Sequence, residues 1–140
     1  MFALDPQLEK DTLHVVRLRL CEVRLMNERA WPWLILVPMR DRLRELVELD
    51  QDDRHRLVDE IAHAERVLAA VHAPDKLNVA ALGNQVAQLH VHVIARHAND
   101  PAWPRPVWGT TPKSAYRNGE AAAETRRLAA AFAMTRSPDD

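Results

Sequence analysis

The chain has 140 residues, 47% of them apolar and 28% charged, with a formal net charge of −1, which describes one ordinary domain able to bury a core without staples. So balanced a charge gives no field to gather nucleic acid or an anionic membrane surface, and the longest apolar runs, such as 34–37, are far too short to span a bilayer. Asp5 and Glu9 stand where a secretory signal would carry a basic and then an apolar stretch, and Cys21 is the single cysteine. The expectation is a soluble cytoplasmic protein without a disulfide.

Residues 13–18 and 22–26 alternate polar and apolar side chains, which predicts two antiparallel strands. Residues 33–37 are continuously apolar and stop at Pro38, the pattern of a buried strand. Leu43, Leu46, Val47 and Leu49 suggest a short helical turn. From Asp52 to His72, Leu57, Ile61, Ala64, Leu68 and Val71 recur every three or four residues. That is a long amphipathic helix, with acidic caps at its start and Pro74 beyond its end. Strands are expected at 77–82 and 88–95, with a turn at Gly83 and Asn84 between them. The prolines and tryptophans of 99–113 exclude a helix there. The Ala-rich stretch 120–134 predicts a C-terminal helix. The order implies a single α+β domain over 1–140: an antiparallel sheet of about five strands, one long helix and a C-terminal helix, with the core at about 11–110.

The chemistry concentrates in Gln88-Leu89-His90-Val91-His92-Val93-Ile94. Alternate side chains share a face of a strand, so Gln88, His90 and His92 would form a polar row with about 7 Å between successive members. Neutral imidazole is a nucleophile near pH 7, and a second imidazole can bond a phosphate oxygen or protonate a leaving group. Two other readings fit the same row. One is a solvated strand face. The other is a pair of zinc ligands, which would need His97, Asp100 or His14 to converge on them.

With its surroundings, the row resembles the histidine triad superfamily of nucleotide hydrolases and transferases, whose signature is His-φ-His-φ-His-φ-φ with φ apolar. Gln88 stands at the first histidine, His90 at the second and His92 at the third. Gly83-Asn84-Gln85-Val86 precedes them at the spacing of the family's Gly-Gln-(Ser/Thr)-Val segment. Leu25-Met26-Asn27, followed by Trp31-Pro32-Trp33-Leu34-Ile35-Leu36-Val37-Pro38, looks like the family's first nucleotide-binding region. Trp103-Pro104 is similar to the Trp-Pro after the triad in the short-chain branch. The likeness covers about 20–108.

The resemblance implies roles for these residues. His90 would attack the α-phosphorus and form a nucleotidyl-histidine intermediate, with its other ring nitrogen protonated and held by a backbone carbonyl. His92 would contact the phosphate oxygens. Asn84 and Gln85 would bond phosphate, Asn27 the ribose hydroxyls, and Leu25 and Leu36 would flank the base. Trp103 would reach a neighbouring subunit's pocket in a homodimer. The implied substrate is a small purine nucleotide of the form nucleoside-phosphate–X, and no metal or other cofactor is required.

Two departures stand out. Gln88 can hydrogen-bond but cannot transfer a proton near pH 7. Pro32-Trp33-Leu34 occupies the segment where the family often carries a histidine, which implies the loss of a polar contact. A nucleotide-sensing module with little turnover and a metal-dependent hydrolase are the rival functions. Arg96 and Arg105 are further candidates for phosphate contact, whereas His55, His63 and His72 read as solvated or packed helix residues.

Overall fold

Asp5 caps a short helix, α1 (Pro6–Asp11): its carboxylate accepts from the Gln7 amide at 2.8 Å, and Pro6 takes the first helical position. The sequence pattern does not signal α1, because six residues are too few to display a helical period. The computed structural model describes residues 1–110, 113–137 and 139–140. Of the irregular segment expected at 99–113, residues 111 and 112 lie outside the described ones.

After α1 come β1 (Thr12–Arg17), β2 (Cys21–Met26), β3 (Trp33–Pro38), α2 (Gln51–His72), β4 (Lys76–Ala80), β5 (Val91–Arg96) and α3 (Glu120–Met134). The five strands form one antiparallel sheet in the order β1-β2-β3-β5-β4. The α+β class, the long helix and the C-terminal helix are as the sequence implies. Of the turn suggested at 43–49, only Leu46–Glu48 is helical, as a single 3-10 turn.

Strand alternation sorts the sheet into two buried faces. Cys21, Val23, Leu25, Leu34, Leu36, Val91, Val93 and Ala95 point toward α2 and α3, where Leu57, Ala64, Leu68, Leu128 and Phe132 close the main core. The opposite face carries Trp33, Ile35, Val37 and Ile94. Leu8 of α1 covers it, together with Ala102 and Val107 from the segment after β5. Phe2, Leu4 and Trp108 pack at its margin. With cover on both sides, β3 has no solvent face, which explains its unbroken apolar run.

Polar side chains tie the helices to this frame. Asp50 caps α2 by accepting from the Asp53 amide at 2.8 Å, and Ala73 ends it in the left-handed region at φ 46°. Glu60 of α2 is buried and takes the amides of Leu20 and Cys21 at 2.9 and 2.8 Å, which fixes the β1–β2 turn to the helix. His72 meets Glu124 of α3 at 2.7 Å. His63 is 2% exposed and stacks edge-on against Phe132. Among the described residues, no helix is long and apolar enough to cross a membrane.

Two strand boundaries differ from the expectation by more than one residue. β4 ends at Ala80, not 82, and β5 begins at Val91, not 88. The ladder explains both. β3 pairs with β5 from Trp33↔Ile94 to Leu36↔Val91, and β4 stops at Ala80↔His92, so 88–90 have no neighbouring strand. The Leu89 amide instead donates to the Leu43 carbonyl at 2.9 Å, anchoring the entry to β5 under the loop after β3.

Candidate active site

Gln88, His90 and His92 therefore do not form one row on a strand. His92 lies inside β5, opposite Ile35 and Ala80. His90 immediately precedes the strand, with its ring edge-on to His92 at 4.9 Å between centroids. Gln88 is in a bend, and its carboxamide turns away to the N-terminal segment: Oε1 accepts from the Asp5 amide and Nε2 donates to the Ala3 carbonyl, both at 2.8 Å.

The hydrogen bonds assign the proton on each imidazole. Nδ1 of His90 lies 2.7 Å from the Gln88 main-chain carbonyl. A carbonyl only accepts, so Nδ1 carries the hydrogen and, in the neutral ring, Nε2 holds a free lone pair. Nδ1 of His92 lies 3.0 Å from the indole nitrogen of Trp33. An indole N–H only donates, so Nδ1 of His92 accepts and its proton sits on Nε2. The two rings thus hold opposite tautomers, one with a nucleophilic Nε2 and the other with a donating Nε2–H.

The surroundings keep His92 neutral. It is 5% exposed, and Trp33 and Trp108 flank it at 5.6 and 5.0 Å between centroids. Burial, with a smaller contribution from the His90 charge, pushes its pKa down to about 4. At neutral pH it is a hydrogen-bond donor rather than a cation.

Arg96 builds the wall that delivers Trp108. Its guanidinium is 2% exposed and bonds Asp100 at 2.7 and 3.1 Å, Asn78 at 2.9 Å and the Arg105 carbonyl at 2.7 Å. Burial alone would raise the Asp100 pKa. The Arg96 hydrogen bond and the amides of Ala102 and Trp103 outweigh it and hold the carboxyl well below the usual range. Arg96 is therefore a clamp on the segment after β5, not a phosphate ligand, and Arg105 contributes its carbonyl to the same clamp.

The other expected site residues are dispersed. Asn84 and Gln85 are exposed on the loop after Gly83, whose φ of +78° suits glycine. Asn27 is exposed, and its Oδ1 accepts from the Tyr116 amide at 3.0 Å. Leu25 and Leu36 are fully enclosed in the helix-side core, on the sheet face opposite His92. Trp103 is 38% exposed, with the Arg96 guanidinium 5.8 Å from its ring centre. A cavity of about 410 Å3 opens beside His90, walled by Arg44, Leu46, Val47, Leu82 and Gly83.

The three side chains any of which could have completed a zinc site are engaged elsewhere: His14 with Glu22, His97 with the His72 carbonyl, and Asp100 with Arg96. Among the described residues, no group of three metal-ligating side chains is gathered. At the segment where the sequence implies the loss of a polar contact, the Trp33 indole supplies one to His92. Trp33 is two residues from Ile35, the partner of His92 across β3 and β5, and strand parity places both on that face. This was the available signal for its role. Trp108 gave none, because its position depends on the fold of the Arg96 clamp.

The family model for the HIT domain matches residues 7–99. The chain is similar to a histidine triad protein from Sinorhizobium meliloti 1021, with 44% identity, 91% of this chain and 94% of that one covered, and a TM-score of 0.88. It is also similar to one from Marinobacter aquaeolei VT8, with 41% identity, coverage of 97% and 99%, and a TM-score of 0.91. A third, from Bradyrhizobium japonicum, has 40% identity, coverage of 95% and 96%, and a TM-score of 0.86. No curated protein matches the chain.

Proposed function

From the premise that the chain belongs to the histidine triad (HIT) family, we propose that it hydrolyses or transfers small purine nucleotides of the form nucleoside-phosphate–X through a nucleotidyl intermediate on His90. The observation that carries this reading is the pair of opposite tautomers: Nδ1–H of His90 on the Gln88 carbonyl, and the Trp33 indole on Nδ1 of His92.

In the first step Nε2 of His90 attacks the α-phosphorus. The P–N bond forms, the P–X bond breaks, and X departs with the bond electron pair and takes a proton from solvent. Nε2–H of His92 donates to the phosphoryl oxygens as their charge develops. Water then attacks phosphorus, the P–N bond breaks, and the nucleoside monophosphate leaves with His90 restored. The rigid β5 and the closed aromatic wall hold the His92 imidazole, and the Gln88 carbonyl holds that of His90, without reorganisation. The cavity beside His90 is of a size that suits a nucleoside or leaving group, and Asn84, Gln85 and Asn27 are the exposed amides for phosphate and ribose. The proposed enzyme acts in the cytoplasm as a homodimer. β4 is an edge strand, and Val79 upon it and Val58 of α2 are exposed apolar side chains suited to self-association.

The test is hydrolysis of an adenosine phosphoramidate with a fluorescent amine leaving group, in EDTA, by the wild type and His90→Ala. The expected result is EDTA-resistant turnover that falls at least about a thousandfold in the variant. AMP binding without turnover in the wild type would instead favour a sensing module.

A further inference from the structure

Gln88 makes three bonds that bear on one another. Its carboxamide is held at both ends by the N-terminal segment, Oε1 by the Asp5 amide and Nε2 by the Ala3 carbonyl. Its main-chain carbonyl takes Nδ1–H of His90. We infer that Gln88 is a positioning residue: anchored on residues 3–5, it aims its own carbonyl at His90 and so keeps Nε2 of that ring unprotonated.

The need for an anchor follows from the ladder. Residues 88–90 have no neighbouring strand, so no sheet bond sets the direction of the Gln88 carbonyl. The Leu89 amide, which shares one planar peptide unit with the Gln88 carbonyl, donates to Leu43 and holds that unit from its forward side. From the backward side, among the described residues, the two carboxamide bonds hold residue 88 in place. The anchor itself is firm. Leu8 is 4% exposed in the second core, Phe2 and Leu4 pack against that core, and the Asp5 carboxylate caps α1. A free neutral histidine prefers its proton on Nε2, the atom that must attack, so the carbonyl has a preference to overcome. The residue type fits the task. Glutamine offers a donor and an acceptor on one flexible arm, whereas glutamate has no donor for the Ala3 carbonyl.

The chemical meaning of this inference rests on the nucleophile reading, but its test does not. The readouts are the His90 tautomer, from two-bond 1H–15N couplings, and kcat and KM on the phosphoramidate. Gln88→Leu removes the anchor. Asp5→Pro removes only its far end: the φ of −55° at Asp5 admits proline, which has no N–H to give Oε1. Asp5→Ala loses the helix cap but keeps that N–H, and sets the baseline for Asp5→Pro. The expected result is a mixture of His90 tautomers in Gln88→Leu and Asp5→Pro, with kcat lower by about tenfold and KM within about twofold. Gln88→Glu, which retains the acceptor half, falls between. A single Nδ1–H tautomer persisting in either Gln88→Leu or Asp5→Pro overturns the inference. If the wild type cleaves no phosphoramidate, the functional proposal fails while the tautomer measurement still decides this one.

Discussion

The indole N–H of Trp33 donates to Nδ1 of His92 at 3.0 Å, across two hydrogen-bonded strands and inside a wall closed by Trp108. This bond turns His92 into an Nε2–H donor without charging it. Trp33→Phe keeps the aromatic packing and removes the donor. The expected outcome is a His92 ring that no longer holds one tautomer, a kcat about tenfold lower, and a stability loss of about 1–2 kcal/mol for the buried acceptor left unpaired. Steady-state kinetics and urea unfolding check both. Wild-type kinetics in the variant would show that the bond has no part in turnover.

His92 also makes stability depend on pH. Its folded pKa is lowered from 6.5 to about 4, so between those values the unfolded chain binds a proton that the folded one refuses. Stability is therefore undiminished above pH 6.5 and falls as the pH drops toward 4, by about 3 kcal/mol at the lower limit. Urea unfolding at pH 7 and at pH 4.5 measures the fall. In His92→Asn that part of the slope disappears, and an unchanged slope would assign the acid sensitivity to other groups.

Much of the fold was legible because its signals are periodic. The 22-residue α2 repeats its apolar positions over six turns, and the alternation in β2 assigns each side chain a face. The histidines were legible for the same reason, although the strand begins only at Val91. What escaped depends on partners remote in sequence. The direction of the Gln88 carboxamide follows from a segment 83 and 85 residues away, and α1 is too short to show a period. Leu25 and Leu36 share a face by parity, but parity alone does not say which face meets the helices.

The Arg96 clamp gives a prediction about the segment after β5. Arg96→Met leaves the Asp100 carboxylate buried at a site that had held a cation, and releases Asn78 and the Arg105 carbonyl. The expected loss is about 3–5 kcal/mol of stability, the cost of breaking a buried ion pair from one side. Because the clamp delivers Trp108 onto His92, the near-ultraviolet circular dichroism of the tryptophans should weaken in the same variant. A loss below about 1 kcal/mol would identify the pair as an ordinary surface bridge.

The turned-away carboxamide of Gln88 makes a prediction about the leaving group. A positioned acid on that side would assist the departure of a basic X by about 100-fold or more. Gln88 has no proton to transfer, and both ends of its side chain are already bonded to backbone. The rate of P–X cleavage should therefore rise steeply as the leaving group becomes less basic, with phenols and polyphosphates departing faster than alkylamines. A series of adenosine 5′-aryl phosphates with graded phenol acidity, followed in single turnovers, isolates that step from hydrolysis of the intermediate. A steep negative dependence of log rate on phenol pKa supports departure without acid assistance. A flat one would mean that another group on this surface protonates the departing oxygen, and would direct the search to the side chains around the cavity beside His90.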